Sequence, residues 1–96
     1  MIESKKHDQG KLRYDLLPPE LTEAVVEVLT YGANKYADNG WQNLDDFENR
    51  YYAALQRHLQ AWRKGETHDE ESKLPHLAHV ATNSLFLLWN DQQTNK

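Results

Sequence analysis

Two histidines and an asparagine line one side of the segment Leu74-Pro75-His76-Leu77-Ala78-His79-Val80-Ala81-Thr82-Asn83. His76, His79 and Asn83 follow an i, i+3, i+7 spacing, which stacks side chains along one face of a helix. Immediately upstream lies an acidic turn, Gly65-Glu66-Thr67-His68-Asp69-Glu70-Glu71-Ser72. If that turn is helical, Glu66 and Asp69 sit close together. Imidazole nitrogens and carboxylate oxygens gathered this way hold a divalent metal or move protons near neutral pH. His58, on the apolar stripe of an earlier helix, is a further candidate. A lone histidine on such a stripe is ordinarily a satisfied core residue, and His76 and His79 could equally lie on a solvated face. The chemistry depends on all three being brought together.

Three helices can do this. The first begins at Pro19, a residue suited to a first helical turn. Its stripe is Leu21, Ala24, Val25, Val28, Leu29, Gly32, Ala33 and Tyr36, and it stops before the turn signal Asp38-Asn39-Gly40. The second runs from about Asp45 to Lys64, with Asp45 or Asp46 as cap, Gly65 as stop, and the stripe Phe47, Tyr51, Ala54, Leu55, His58 and Trp62. The third starts near Pro75 and reaches about Asn90. One face carries Leu77, Val80, Ala81, Ser84, Leu85 and Leu88, with His76, His79 and Asn83 on the opposite and flanking side. The short acidic connection allows helices two and three to pair antiparallel, which brings His58 near His76 and His79. The run Leu85-Phe86-Leu87-Leu88-Trp89 is apolar on all sides. It needs cover from every direction, which a partner subunit can supply.

Two other groups of residues have a chemical reading. Glu20, Glu23 and Glu27 form an acidic ridge on the first helix, a solvated face unless a partner helix covers it and makes it a magnesium platform. Lys11, Arg13, Lys35, Arg50 and Arg57 suit phosphate, and Tyr36 and Trp41 suit base stacking. There is no P-loop or Rossmann glycine pattern, and no serine or cysteine nucleophile set can be assigned.

The chain has 96 residues, no cysteine and a formal charge of −4. It reads as an arm over residues 1–17 followed by a single helical domain over 18–92. A domain this small buries a limited core, and oligomerisation is the usual remedy where disulfides are absent. The acidic balance argues against nucleic-acid binding through a basic surface. No apolar run is long enough to span a bilayer, and the N-terminus lacks the apolar region of a signal peptide. A soluble, cytoplasmic protein that is a homo-oligomer is expected.

The motifs together resemble a family. They are Lys6-x-Asp8-x-Gly10-Lys11-x-Arg13-x-Asp15-Leu16-Leu17-Pro18, Tyr31-Gly32-Ala33-x-Lys35-Tyr36, Trp41, and Arg50-Tyr51-x-Ala53-Ala54-Leu55-x-Arg57-His58-Leu59-x-Ala61-Trp62-x-x-Gly65-Glu66. Asp69-x-Glu71-Ser72-x-x-x-His76-Leu77-Ala78-His79 and Asn83-x-Leu85-Phe86-Leu87-Leu88 complete them. In these the chain resembles the phage and prophage dATP/dGTP diphosphohydrolase, N-terminal-like family, over residues 6 to 88. That family tends to glycine where this chain has Lys73. The resemblance implies an all-α, MazG-like helical bundle completed by oligomerisation. It implies a dNTP pyrophosphohydrolase that uses a divalent metal, Mg or Mn, to cut a purine dNTP into dNMP and pyrophosphate. In phages this trims purine nucleotide pools of the host cytoplasm. Where MazG-like enzymes place an acidic pair on the last helix, this chain offers His76, His79 and Asn83.

On this reading Asp69, Glu66, His76 and His79 hold metal, with His58, His79 and Glu66 as the acid–base set. Lys11, Arg13, Lys35 and Arg57 hold phosphates, and Tyr36, Trp41 and Asn83 shape the base pocket. The alternative is a non-catalytic phage protein that binds and sequesters a nucleotide or a nucleotide-derived signalling molecule.

Overall fold

The computed structural model describes residues 9–94. Residues 1–8, which include Lys6 and Asp8 of the first motif, and residues 95–96 lie outside them. The described residues form three α-helices and no strand: α1 (Pro19–Lys35), α2 (Phe47–Arg63) and α3 (His76–Thr94). Short 3₁₀ turns lie at Tyr14–Leu16 and Gly40–Asn43. No helix among the described residues is long and apolar enough to cross a membrane.

Local chemistry explains the helix ends. Pro19 occupies the first turn of α1, where its missing N–H leaves no bond unmade. The helix ends with the Tyr36 N–H donating to the Gly32 carbonyl at 2.9 Å, and Asn39 then turns the chain at φ 57°. Asp46 stands at the cap position of α2, as expected, but its carboxylate does not cap a backbone N–H. Its left-handed backbone (φ 53°) replaces the extended conformation of a capping residue, and the carboxylate accepts instead from the Asn49 side-chain amide at 3.1 Å. The other end of α2 closes as expected on Gly65, at φ 104°. The Gly65 N–H donates to the Trp62 carbonyl and the Glu66 N–H to the Ala61 carbonyl, the two bonds of a Schellman stop.

The connection from α2 to α3 is held by its own backbone. Asp69 N–H donates to Leu74 O, Lys73 N–H to Asp69 O, and His76 N–H to Thr67 O, each at 2.9 Å. Lys73 sits in the left-handed region at φ 66°. Glycine suits that conformation best, which gives a physical reason for the glycine that the resembling family carries there.

α2 and α3 pair antiparallel. Phe47 packs near Trp89, Tyr51 near Phe86, and His58 near His79, with ring centroids 5.8, 4.8 and 4.3 Å apart. Trp41 completes the aromatic end, stacked on Phe86 at 4.3 Å and edge-on to Trp89 at 5.0 Å. α1 packs against α3, and Val28 is its buried residue.

α3 faces the opposite way from the reading that its leucine stripe invites. Its buried residues are His76, Ala78, His79, Thr82 and Asn83. Leu77, Leu85 and Leu88 are 44, 48 and 52 % exposed. The polar side can turn inward because its groups find partners. Thr82 Oγ1 donates to Ala78 O at 2.8 Å, Asn83 Nδ2 donates to His79 O at 2.9 Å, and the histidines bond to one another and to the connection. Among the described residues no buried side-chain nitrogen or oxygen lacks a partner.

Candidate metal centre

The inward side of α3 meets His58 of α2. His58 Nδ1 and His76 Nδ1 are 2.8 Å apart, and His76 Nε2 lies 3.0 Å from Glu66 Oε1. A carboxylate only accepts, so the proton of His76 belongs on Nε2. A neutral His76 then presents the Nδ1 lone pair, and His58 donates to it. Glu66 thus stands behind His76 and fixes its tautomer, the arrangement that orients an imidazole toward a metal.

A second chain of bonds runs beside the first. The Ser72 hydroxyl is 2.7 Å from His79 Nε2, the Ser72 N–H donates to Asp69 Oδ2 at 2.8 Å, and the Leu74 N–H donates to Ser72 Oγ at 3.2 Å. The His58 and His79 rings stack with planes 6° apart.

Burial favours the neutral form of His58 and of His79. Burial, then the neighbouring His79, pushes the His58 pKa down to about 4. Burial also lowers His79, against the opposing pull of Asp69. Burial pushes Asp69 up, but the hydrogen bonds from Ser72 and the nearby histidines outweigh it, and the carboxyl stays below its ordinary value. Neutral imidazole and ionised carboxylate are the ligand forms that a metal requires. One ligand atom each from His58, Asp69 and His76 lie within 4.8 Å of one another. A mixed nitrogen and oxygen donor set with a supporting carboxylate fits a divalent cation.

Glu71, in the same connection, ties α1 to the site. Its Oε1 accepts from both the Tyr31 hydroxyl and the Lys35 ammonium. The Lys35 pKa is raised by that bond first and by Tyr36 second. On the outer side of α2, an open groove of about 430 Å³ is lined by Gln56, Arg57, Gln60, Ala61, Lys64 and Glu66. Glu66 is common to the groove and the imidazole cluster. A second groove of about 300 Å³ includes Arg50 and Arg57. Arg50, Arg57 and Lys64 recur every seven residues and so share one face of α2.

His58, Glu66, Asp69, His76 and His79 therefore all meet at one end of the α2–α3 pair. The other expected site residues are dispersed. Arg57 lines the groove, Lys35 is engaged by Glu71, and Tyr36 is 75 % exposed beneath the Lys35 ammonium. Trp41 lies in the aromatic cluster, and Asn83 is buried with its amide on a helix carbonyl. Lys11 is exposed on the arm, where Arg13 pairs with Asp15 at 2.7 Å. Glu20, Glu23 and Glu27 are all exposed. Sequence reasoning passed over Ser72 and Lys64 as site residues. Lys64 carried a signal, seven residues after Arg57 at the end of α2; Ser72 lies in the connection before α3, where helical spacing could not mark it.

Comparison with known proteins adds three findings. A family model described as dATP/dGTP diphosphohydrolase, N-terminal, matches residues 2–96. A protein of Salmonella phage PMBT28 named dATP/dGTP diphosphohydrolase is 39% identical over 84 residues, which are 88% of this chain and 28% of that protein. The chain thus spans little more than a quarter of that relative's length. No solved structure gives a significant match.

Proposed function

The chain belongs to the dATP/dGTP diphosphohydrolase, N-terminal, family, and from that premise we propose that it is a metal-dependent purine dNTP pyrophosphohydrolase, releasing dNMP and pyrophosphate in the host cytoplasm. The observation that supports this best is the His58–Asp69–His76 group set against a groove lined by Arg57 and Lys64, with Glu66 belonging to both sides.

His58, Asp69 and His76 would hold the cation, and Glu66 would orient His76. The cation, Mg or Mn, would polarise the attacking water and offset phosphate charge. His79 would be the base, with its Nε2 lone pair directed at the Ser72 hydroxyl. Water would attack the α-phosphorus and pass its proton to Ser72 Oγ as the Ser72 proton moves to His79 Nε2. The bond from the α-phosphorus to the bridging oxygen would break, and pyrophosphate would leave with its charge met by Arg57 and Lys64. Lys35 would join them on exchanging Glu71 for phosphate. The exposed ring of Tyr36 offers a stacking surface for the base.

The test is chromatographic product analysis of the protein incubated with dATP, dGTP, dCTP, dTTP and ribonucleotides, with Mg²⁺ and separately Mn²⁺. The expected result is dNMP and pyrophosphate from purine dNTPs, lost in His79→Ala at unchanged helical content. Normal turnover by His79→Ala would remove the base assignment. One observation favours a second reading, sequestration without turnover: Asp69 is the single carboxylate in the His58–Asp69–His76 group. Nucleotide bound tightly and recovered intact after long incubation with either metal would select that reading.

A further inference from the structure

We propose that the outer face of α2 is a binding trough for dinucleoside polyphosphates, two nucleosides joined 5′ to 5′ through a phosphate chain, with Arg50 and Asp46 selecting them over a dNTP. The trough is argued from α2 itself; that its occupant is cut at the Glu66 end rests on the pyrophosphohydrolase reading above.

This face carries more cation than a triphosphate uses. Arg50, Arg57 and Lys64 are exposed and seven residues apart. At the helical rise, neighbours in this row stand about 10 Å apart along the axis. Among the described residues none of the three forms an ion pair. The α-to-γ span of a triphosphate covers no more than one interval of the row. With its α-phosphorus at the Glu66 end, a dNTP reaches Lys64 and Arg57 and leaves Arg50 without a counter-charge. Yet the grooves continue that far, because Arg57 lines both the one that ends at Glu66 and the one that holds Arg50. Small side chains line the way: Ala53 and Ala54 between the arginines, and Ala61 between Arg57 and Lys64. They leave room for a phosphate chain close against the helix.

The two ends of the row identify what the chain of phosphates carries. Glu66 lines one end and Asp46 the other. One oxygen of Asp46 accepts from the Asn49 amide at 3.1 Å, and the second is left to accept from a ligand. A carboxylate repels phosphate but accepts from hydroxyl and amine groups. A bare polyanion, inorganic or a nucleic-acid backbone, would meet like charge at both ends. A ligand that is anionic in its middle and rich in hydroxyl and amine donors at its ends fits the whole row. Its phosphates would lie on Lys64, Arg57 and Arg50, and its distal nucleoside on Asp46.

The reaction is the one written for a dNTP, with a larger leaving group. Water attacks the α-phosphorus of the nucleoside at the Glu66 end, and its proton passes by way of Ser72 to His79. The bond from that phosphorus to the bridging oxygen breaks, and the electron pair stays on the oxygen. The distal nucleoside leaves with the remaining phosphates, their charge met by Arg57 and Arg50.

Diadenosine tetraphosphate and dATP are the probes. Binding of each is measured by calorimetry in EDTA, and products are separated after incubation with Mn²⁺. The dinucleotide should bind more tightly than dATP and give AMP and ATP as first products. Arg50→Gln should weaken its binding by about 10-fold and leave dATP within about twofold. Asp46→Asn should weaken the dinucleotide and not inorganic polyphosphate. Both residues are exposed, so helical content should be unchanged. A dinucleotide indifferent to Arg50→Gln, or inorganic polyphosphate bound as tightly as the dinucleotide, would overturn the proposal. Arg50-dependent binding with neither nucleotide cut would support the trough and overturn the hydrolase reading. Turnover of dATP, with the dinucleotide neither bound nor cut, would do the reverse.

Discussion

Acid should destabilise the metal-free protein through His58. The ring lies between α2 and α3, stacked on His79 and bonded to His76. Burial, then the His79 neighbour, takes its pKa from 6.5 to about 4. The folded chain therefore rejects a proton that the unfolded chain accepts below pH 6.5. This contribution to stability is fully present above 6.5 and is lost as the pH falls from 6.5 toward 4. Between pH 6.5 and 5 the loss is 1.5 units at about 1.36 kcal/mol each, or about 2 kcal/mol. Water reaches part of the ring, and screening reduces this to about 1 kcal/mol. The assay is denaturant unfolding followed by circular dichroism, in EDTA and at fixed protein concentration, from pH 7.5 to 5. Wild type is compared with His58→Gln. His79 is depressed in the same direction and titrates in both proteins, so the difference in slope isolates His58. Wild type should lose about 1 kcal/mol more than the variant across this range. Parallel slopes would show that His58 takes up its proton in the folded state, and the packing argument would fail.

Three further outcomes follow from single contacts. Glu66→Ala should weaken Mn²⁺ binding by about 10- to 100-fold in calorimetry, with His76→Ala weaker still; equal affinity in wild type and Glu66→Ala would remove the orienting role of Glu66. Gly65→Ala should lower unfolding free energy by about 1–2 kcal/mol, because φ 104° is strained for any residue with a Cβ and the Schellman stop depends on it; a loss below about 0.5 kcal/mol would refute this. Trp41→Ala should cost about 2–3 kcal/mol of stability through its stack on Phe86 and its edge contact with Trp89, whereas lost nucleotide binding at unchanged stability would place that ring in the base pocket instead.

The elements were legible because their punctuation is local. Pro19, Asn39 and Gly65 each set a backbone conformation within a few residues, and periodicity supplied the faces. The antiparallel approach of His58 to His76 and His79 followed from one short connection. The inward direction of α3 was not legible in the same way. Periodicity separates a leucine side from a histidine side, but it does not say which side is buried. That choice rests on non-local bonds, from Glu66 to His76 and from Ser72 to His79, which make a buried polar face satisfiable. The consequence is energetic. Val28 and Ala78 are the buried apolar residues among those described, too few to offset the entropy of ordering three helices. The half-buried aromatic cluster of Trp41, Phe47, Tyr51, Phe86 and Trp89 supplies part of the remainder. Leu77, Leu85 and Leu88, about half exposed, are apolar area that the inward turn of α3's polar side leaves outside the core.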